Sequence, residues 1–228
     1  MAEKDNNSGN SRVSRKVRLG LFPLDLVVFP GSYVPLYIFE NRYKKLVDRC
    51  IDSDEEFAIH YNPGNKIHEY GCLVRVSEVV KTFKDGEKNI VVTGTERVRL
   101  DEVIDGEEEY LIGKLECFVP EDKNFSESLL DETVDKFNQI AEKIDNPIVP
   151  TLSFDELSRQ LNPSFILAQK AGLSLSERQQ ILSLAVEDDR LMIINRHLKE
   201  VMPLANRADT IQKVIKNNGY IGPYSFDI

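Results

Sequence analysis

Two hydrophobic periodicities divide the chain near residue 120. Before that point, short runs in which apolar and polar residues alternate are typical of half-buried strands. These runs predict strands over Leu19–Leu24, Tyr33–Phe39, Phe57–Tyr61, Cys72–Phe83, Asn89–Val103 and Tyr110–Val119. One helix is predicted between them over Glu40–Ile51, and Asp85-Gly86 is the strongest hairpin signal. Together these elements predict a compact, mostly antiparallel β-barrel with one inserted helix.

After Pro120 the apolar period becomes helical. One apolar stripe contains Leu130, Val134, Phe137, Ala141 and Ile144. Ser153-Phe-Asp-Glu156 and Ser174-Leu-Ser-Glu177 have the form of capping boxes, which mark helix starts. A heptad seam follows at Leu191, Ile194, Leu198, Val201, Ala205 and Ala208. The sequence therefore predicts an α+β protein with a disordered polar tail over 1–15, the barrel over 16–120 and a C-terminal α-helical bundle over 121–228.

Composition limits the class of protein further. The chain has 228 residues, of which 41% are hydrophobic, and this length is enough to bury a core without disulfides. The apolar runs are far shorter than the roughly 18 residues that span a bilayer, and the first residues contain no apolar leader, so we expect neither a membrane partner nor a secretory signal. Three widely spaced cysteines, Cys50, Cys72 and Cys117, indicate reduced thiols and a cytoplasmic location.

Charge is distributed unevenly. The formal net charge is −9, and the first 18 residues carry five basic and two acidic side chains. Residues 19–228 therefore carry 24 basic against 36 acidic side chains, a net −12. An acidic body disfavours binding to a phosphate backbone, so nucleic acid is not the expected partner.

Two side-chain groups suggest metal or cation chemistry. His60, His68 and Cys72 are ligand types that suit zinc, but the chain offers no C-x-x-C pair and no clear fourth ligand. We therefore expect no metal and no other cofactor. An acidic cluster comprises Asp101, Glu102, Asp105, Glu107, Glu108 and Glu109. It is typical of a solvated hairpin tip, while a cation site or a patch for a basic partner stays open as an alternative.

An ordered series of motifs resembles the Lon protease amino-terminal domain. The series consists of Leu21-Phe-Pro-Leu24, Val28-Phe-Pro-Gly31 and Val34-Pro-Leu-Tyr-Ile-Phe-Glu-Asn-Arg-Tyr43, followed by Gly71-Cys-Leu-Val74 and Val92-Thr-Gly-Thr-Glu-Arg-Val98. The resemblance implies a PUA-like β-barrel followed by helices, with a role in substrate recognition. The phosphate-binding pattern G-x-x-x-x-G-K-[ST] is absent, because Gly113-Lys114 is followed by Leu115, and the Ser–Lys peptidase region has no counterpart. We therefore expect a stand-alone, non-catalytic Lon-type domain rather than an enzyme.

Three classes of function follow. The first is a module that binds unfolded or apolar-rich polypeptides, in the service of a protease or chaperone system, through a groove where barrel and bundle meet. The side chains predicted to bind are Tyr33, Tyr37, Phe39, Tyr43 and Phe83, although core packing is the commoner fate of such residues. The second is RNA binding, by analogy with other PUA-like barrels, and the third is an enzyme of unknown type. We favour the first; the oligomeric state and the position of the binding surface stay open.

Overall fold

The strands precede all but one of the helices, as the two periodicities predict. The computed structural model describes residues 15–118, 124–143 and 150–205. Its strands are β1 Arg15–Leu24, β2 Tyr33–Ile38, β3 Phe57–Tyr61, β4 Tyr70–Thr82, β5 Lys88–Ile104 and β6 Leu111–Cys117. Its helices are α1 Asn41–Ser53, α2 Glu127–Lys143, α3 Phe154–Leu157, α4 Pro163–Lys170, α5 Leu175–Ser183 and α6 Glu187–Ala205. The predicted mixture of sheet and helices is confirmed.

Some of the predicted boundaries differ or cannot be compared. Arg15, the last residue of the predicted tail, is the first residue of β1, and the structure extends that strand four residues beyond the prediction. The predicted boundary at 120/121 lies outside the described residues, as do Ile144 and Ala208 of the helical stripes. The division into separate units therefore stays a prediction.

The sheet closes on itself. Its strand order is β2-β5-β4-β3-β1-β6, and β5 also pairs with β6, so that five strands form a ring with β2 attached outside it. The β1–β3 pair is parallel and the other described pairings are antiparallel. The predicted hairpin is present, since Thr82 pairs with Lys88 across the turn that contains Asp85 and Gly86. The closed ring supports the predicted barrel, whose PUA-like character stays a prediction.

The β1–β2 loop inserts two apolar side chains into the core of the helical half. Val27 and Phe29 are 4% and 0% exposed and belong to the hydrophobic cluster formed by α2 and the helices after it. The Phe29 ring stacks on Phe165 with 5.4 Å between centroids, and the Arg178 guanidinium lies 5.2 Å from the Phe29 ring. Gly94 allows this approach, because a Cβ there would lie 2.2 Å from the Phe29 carbonyl oxygen. The β1–β2 loop therefore contributes to the hydrophobic core of the helices, while the strands and α1 also form apolar clusters of their own.

A buried ion pair fixes the helices to one another. Arg190 is 1% exposed, and its guanidinium lies 2.6 Å from the carboxylate of Glu187. The Arg190 guanidinium also donates hydrogen bonds to Asn162 Oδ1 and to the Leu184 carbonyl, each at 2.8 Å. Glu187 in turn accepts from the amide and the hydroxyl of Ser164 at 2.6 and 2.7 Å. Because both charges have several partners, the cost of removing them from water is largely offset.

Candidate functional site

Strand β2 carries aromatic side chains on the outside of the molecule. Tyr33, Pro35 and Tyr37 are exposed, whereas the alternate residues Val34 and Leu36 pack toward the core. This division follows from the two-residue period of a strand. Tyr33 is 73% and Tyr37 52% exposed, and Phe39, just after the strand, is 56% exposed. Exposed aromatic residues at this density are characteristic of binding surfaces.

Three of these rings and one from the β4–β5 turn form a surface. The Tyr37 centroid lies 5.8 Å from that of Phe39 and 6.2 Å from that of Phe83, which it meets edge-on. Tyr33 lies on the same face four residues before Tyr37, about 13 Å along the strand. We call Tyr33, Tyr37, Phe39 and Phe83 the aromatic surface. The structure thus places four of the five predicted binding residues on one side of β2 and the adjoining turn.

Tyr43 is separated from the other four candidates. It lies on α1, is 4% exposed, and stacks on Phe22 with 3.8 Å between ring centroids. Burial raises the pKa of its hydroxyl. Tyr43 is therefore a core residue that joins α1 to the sheet, and it is not part of the aromatic surface.

Polar contacts hold the aromatic surface in place. The Tyr37 hydroxyl donates a hydrogen bond to the Glu87 carboxylate, and this contact raises the pKa of Tyr37. The Lys81 ammonium lies 4.8 Å from the centre of the Phe83 ring. Lys44, from α1, donates to the Asp85 carbonyl at 3.1 Å and ties the turn to the helix. The Tyr37 and Phe83 rings are thus pre-positioned, which lowers the entropy that binding would have to offset.

A groove lies where the sheet meets the helices. This groove of about 470 Å³ is lined by residues of β3, β4 and α5. Tyr61 and His68 stack in it at 5.1 Å between centroids, and Gln179 Nε2 donates to the Tyr70 carbonyl at 2.9 Å. Ser176, Gln180 and Ser183 line its other side. The junction groove therefore combines aromatic rings on the side of the sheet with polar side chains from α5, and a binding role for it stays a prediction.

Two of the three candidate metal ligands, His60 and Cys72, are buried and make hydrogen bonds within the protein. His60 is fully buried, its Nδ1 lies 2.9 Å from the His68 carbonyl oxygen, and burial lowers its pKa to about 4. The Cys72 thiol is also buried, donates to the Leu73 carbonyl at 3.2 Å, and has a raised pKa. Among the described residues, no three His, Cys, Asp or Glu side chains converge in a way that could hold a metal ion. A neutral imidazole and a protonated thiol both suit a structural role.

The acidic cluster is paired with basic side chains from neighbouring elements. Lys16 contacts Asp101 at 3.1 Å, and Lys114 contacts Glu102 at 2.6 Å. Further pairs are Arg18–Glu107, Arg49–Glu108 and Lys45–Glu109. The side chains of these three glutamates stay about half exposed, so each pair contributes little stability, about 0–1 kcal/mol. The pairs nevertheless neutralise much of the cluster that the sequence suggested for a cation or a basic partner.

Sequence and fold match one known family. Residues 18–200 match the family model of the ATP-dependent protease La (LON) substrate-binding domain. The chain belongs to this family. The resemblance that the sequence motifs suggested is thereby confirmed. None of the helices that the structure describes has the length and apolar composition to cross a bilayer.

Lon proteases and their amino-terminal domains are the relatives of this LON domain. It is 24% identical to the Lon protease of Flavobacterium johnsoniae and 22% identical to that of Escherichia coli K12, over 87% and 91% of the chain. It spans about a quarter of those relatives' length, 26% and 27%. A Lon N-terminal domain protein from Xanthomonas campestris superposes with a TM-score of 0.58 at 23% identity, covering 77% of this chain and 95% of that one. The N-terminal domain of the Mycobacterium avium complex Lon protease gives 0.61 at 16% identity, with 80% and 98% covered.

Strand β2 lies at the edge of the sheet, a position that the predicted elements do not include. This strand pairs with β5 and with no other described strand. Pro35 in the middle of β2 was the available signal, because proline lacks the N–H that an interior strand needs and is confined to edges.

Proposed function

We propose that this LON domain recognises polypeptide substrates for proteolysis and that the aromatic surface makes the contact. The observation that carries the proposal is the cluster of exposed rings around Tyr37 in a chain whose family is one of substrate-binding domains. An unfolded protein differs from a folded one chiefly in its exposed apolar side chains. A pre-positioned aromatic surface selects for that difference, because its contacts bury apolar area without requiring a particular sequence.

Binding by a single copy is weak in this proposal. A flexible chain loses conformational entropy when it is captured, so we expect a dissociation constant in the micromolar range or above. Several copies acting on one substrate would raise the effective affinity through local concentration. Such an arrangement suits a protease or chaperone system, which must release its substrate after capture. The chain itself then needs neither ATPase nor peptidase activity, and its proposed place is the cytoplasm.

RNA is the alternative ligand that a PUA-like barrel suggests, and the charge of the chain argues against it. Residues 19–228 carry 36 acidic against 24 basic side chains. The basic side chains nearest the acidic cluster are themselves paired, as Lys114 is with Glu102. A surface that binds phosphates needs a continuous basic stripe, and binding would fall steeply between about 50 and 200 mM salt.

Fluorescence anisotropy with a labelled, reduced and unfolded polypeptide tests the proposal across a salt series. We expect salt-tolerant binding that the double variant Tyr37→Ala with Phe39→Ala weakens about 5- to 30-fold, as loss of an aromatic contact at an interface does. Met192→Ala is the matched control, since Met192 is 51% exposed on α6 and lies outside the aromatic surface. Equal binding by the double variant and the control would refute the assignment of the surface.

A structured RNA in the same assay distinguishes the alternative. Tight, salt-sensitive RNA binding that persists after deletion of residues 1–14, which leaves β1 intact, would contradict polypeptide recognition. Purified protein is also expected to hydrolyse neither ATP nor casein above the buffer rate. An activity that co-elutes with the chain and is lost in a point variant would overturn the non-catalytic part of the proposal.

A further inference from the structure

We propose that the polypeptide binds as an additional strand on the free edge of β2, with every second side chain against the aromatic surface. This inference rests on the proposed function and adds the mode of binding. Its basis is the direction of the backbone groups of β2, which differs between alternate residues of an antiparallel strand.

The contact just before β2 shows which residues of this strand direct their backbone N–H and C=O groups toward β5. The amide of Gly94 donates to the carbonyl of Ser32 at 2.8 Å. The next pairs of the register are Tyr33 with Thr93 and Val34 with Val92. Since bonded and non-bonded pairs alternate, Val34, Leu36 and Ile38 direct their backbone groups to β5, as the Ser32 carbonyl does. Tyr33, Pro35 and Tyr37 therefore direct theirs away from the sheet.

These outward backbone groups are a row of unpaired hydrogen-bond donors and acceptors. The N–H and C=O of Tyr33, the C=O of Pro35, and the N–H and C=O of Tyr37 make no hydrogen bond within the described part of the chain. They recur every second residue, the spacing at which an extended chain presents its own donors and acceptors. An edge of this kind is a template for another extended backbone.

The same alternation brings side chains of the added strand onto the aromatic surface. Residues that pair directly across two strands have their side chains on the same face. The residues bonded to Tyr33 and Tyr37 would therefore lie beside those two rings, four positions apart in the ligand. The ligand is thus an extended segment with apolar side chains at alternate positions, and no particular sequence is required between them.

A polypeptide of another protein suits this edge better than a second copy of the chain. Pro35 is the middle one of the three residues whose backbone groups point outward. If two β2 strands paired symmetrically and antiparallel through all three positions, the two prolines would lie opposite each other. Neither proline has an N–H, so the central pair would form no hydrogen bond. A different chain loses only the one hydrogen bond that an N–H at position 35 would donate. Proline at an edge is a known protection against self-association.

Backbone methylation of a peptide tests the strand geometry. The probe is the peptide Lys-Leu-Thr-Leu-Thr-Leu-Thr-Lys, in one form methylated on the three leucine amides and in another on the three threonine amides. With the leucine side chains on the aromatic surface, the leucine N–H groups are those that donate to β2. We expect leucine methylation to weaken binding at least tenfold and threonine methylation to change it less than threefold.

The possible results separate the two proposals. If both methylated peptides bind as the unmodified one does while Tyr37→Ala still weakens binding, the strand geometry is wrong and the aromatic surface stands. If the unmodified peptide and the unfolded polypeptide both fail to bind, the proposed function fails. Pro35→Val restores the missing donor and should tighten binding of the unmodified peptide about threefold. A dimer of the unliganded chain whose formation protects the Tyr33 and Tyr37 amides from hydrogen exchange would assign the edge to a second copy and overturn the inference.

Discussion

Replacement of Phe29 by alanine tests whether the β1–β2 loop couples the stability of the strands to that of the helices. The ring is fully buried and packs against Phe165 and the Arg178 guanidinium. Truncation of a buried phenylalanine costs about 3–5 kcal/mol of unfolding free energy, through lost burial and the cavity that remains. The upper part of this range is expected, because the loop is pinned and cannot collapse into the cavity. Ser32 Oγ donates to the Phe29 carbonyl at 2.6 Å, and Gly94 lies directly against the same carbonyl.

Urea denaturation followed by two probes measures the effect. Far-UV circular dichroism reports chiefly on the helices, and tyrosine fluorescence is usable because the chain contains no tryptophan. We expect the two transitions to coincide in the wild-type protein and to move together to lower urea in Phe29→Ala. The control is Phe39→Ala, which removes a ring that is 56% exposed and should change the unfolding free energy by no more than about 0.5 kcal/mol.

Two results would refute this coupling. One is a loss below about 1 kcal/mol in Phe29→Ala, which would mean that the ring contributes no more than a surface residue. The other is an early transition of the helices with the strands unchanged, which would mean that the halves unfold independently. A double-mutant cycle with Phe165→Ala isolates the contact between the rings, for which about 0.5–1.5 kcal/mol of coupling is expected.

Three further substitutions probe buried contacts. Gly94→Ala should lower the melting temperature seen by circular dichroism, because the new Cβ would meet the Phe29 carbonyl at 2.2 Å, and an unchanged melting temperature would show that this approach is not tight. His60 has its pKa lowered to about 4 by burial, so the unfolded chain binds the extra proton below about pH 6.5 and stability falls as the pH is lowered. Between about pH 7.5 and 5, protonation of this group should lower the unfolding free energy of the wild-type protein, measured by urea titration, by about 2 kcal/mol. A His60→Gln variant with the same pH dependence would contradict this assignment. Arg190→Met should cost about 3–5 kcal/mol, since it leaves the Glu187 carboxylate buried without its cation, and pairing it with Glu187→Gln should recover part of that loss in the same titration.

Much of the secondary structure was predictable because burial follows the period of the sequence. The hairpin around Asp85 and Gly86 and the position of α1 agree with the pattern. The start of β1 was missed because Arg15, Lys16 and Arg18 lack a strand-like apolar face. Pairing with β6 and ion pairs to other strands hold these residues, as in the 2.6 Å contact between Arg15 and Glu96. Such contacts between distant residues override local preference.

The candidate surface was predictable only in part. Alternation along β2 indicates that Tyr33 and Tyr37 share a face, but it does not state which face is solvated. Tyr43 was grouped with them by residue type, although it lies on the apolar stripe of α1 with Leu46 and could have been assigned to the core from that spacing. The free edge depends on the order of strands in the sheet, which is set by pairing between distant segments and leaves no periodic trace in the sequence.

The position of Phe29 also has a consequence for how the chain is made on the ribosome. The last described strand ends at Cys117, but the hydrophobic cluster that contains Phe29 includes helical residues as far as Leu198, about eighty residues later. At about 5–20 residues per second, those residues emerge about 4–16 s after the strands are complete. During that interval Val27 and Phe29 would lack the helical residues against which they pack in the folded chain. A newly made copy of this domain is, for those seconds, itself a polypeptide of the kind that it is proposed to capture.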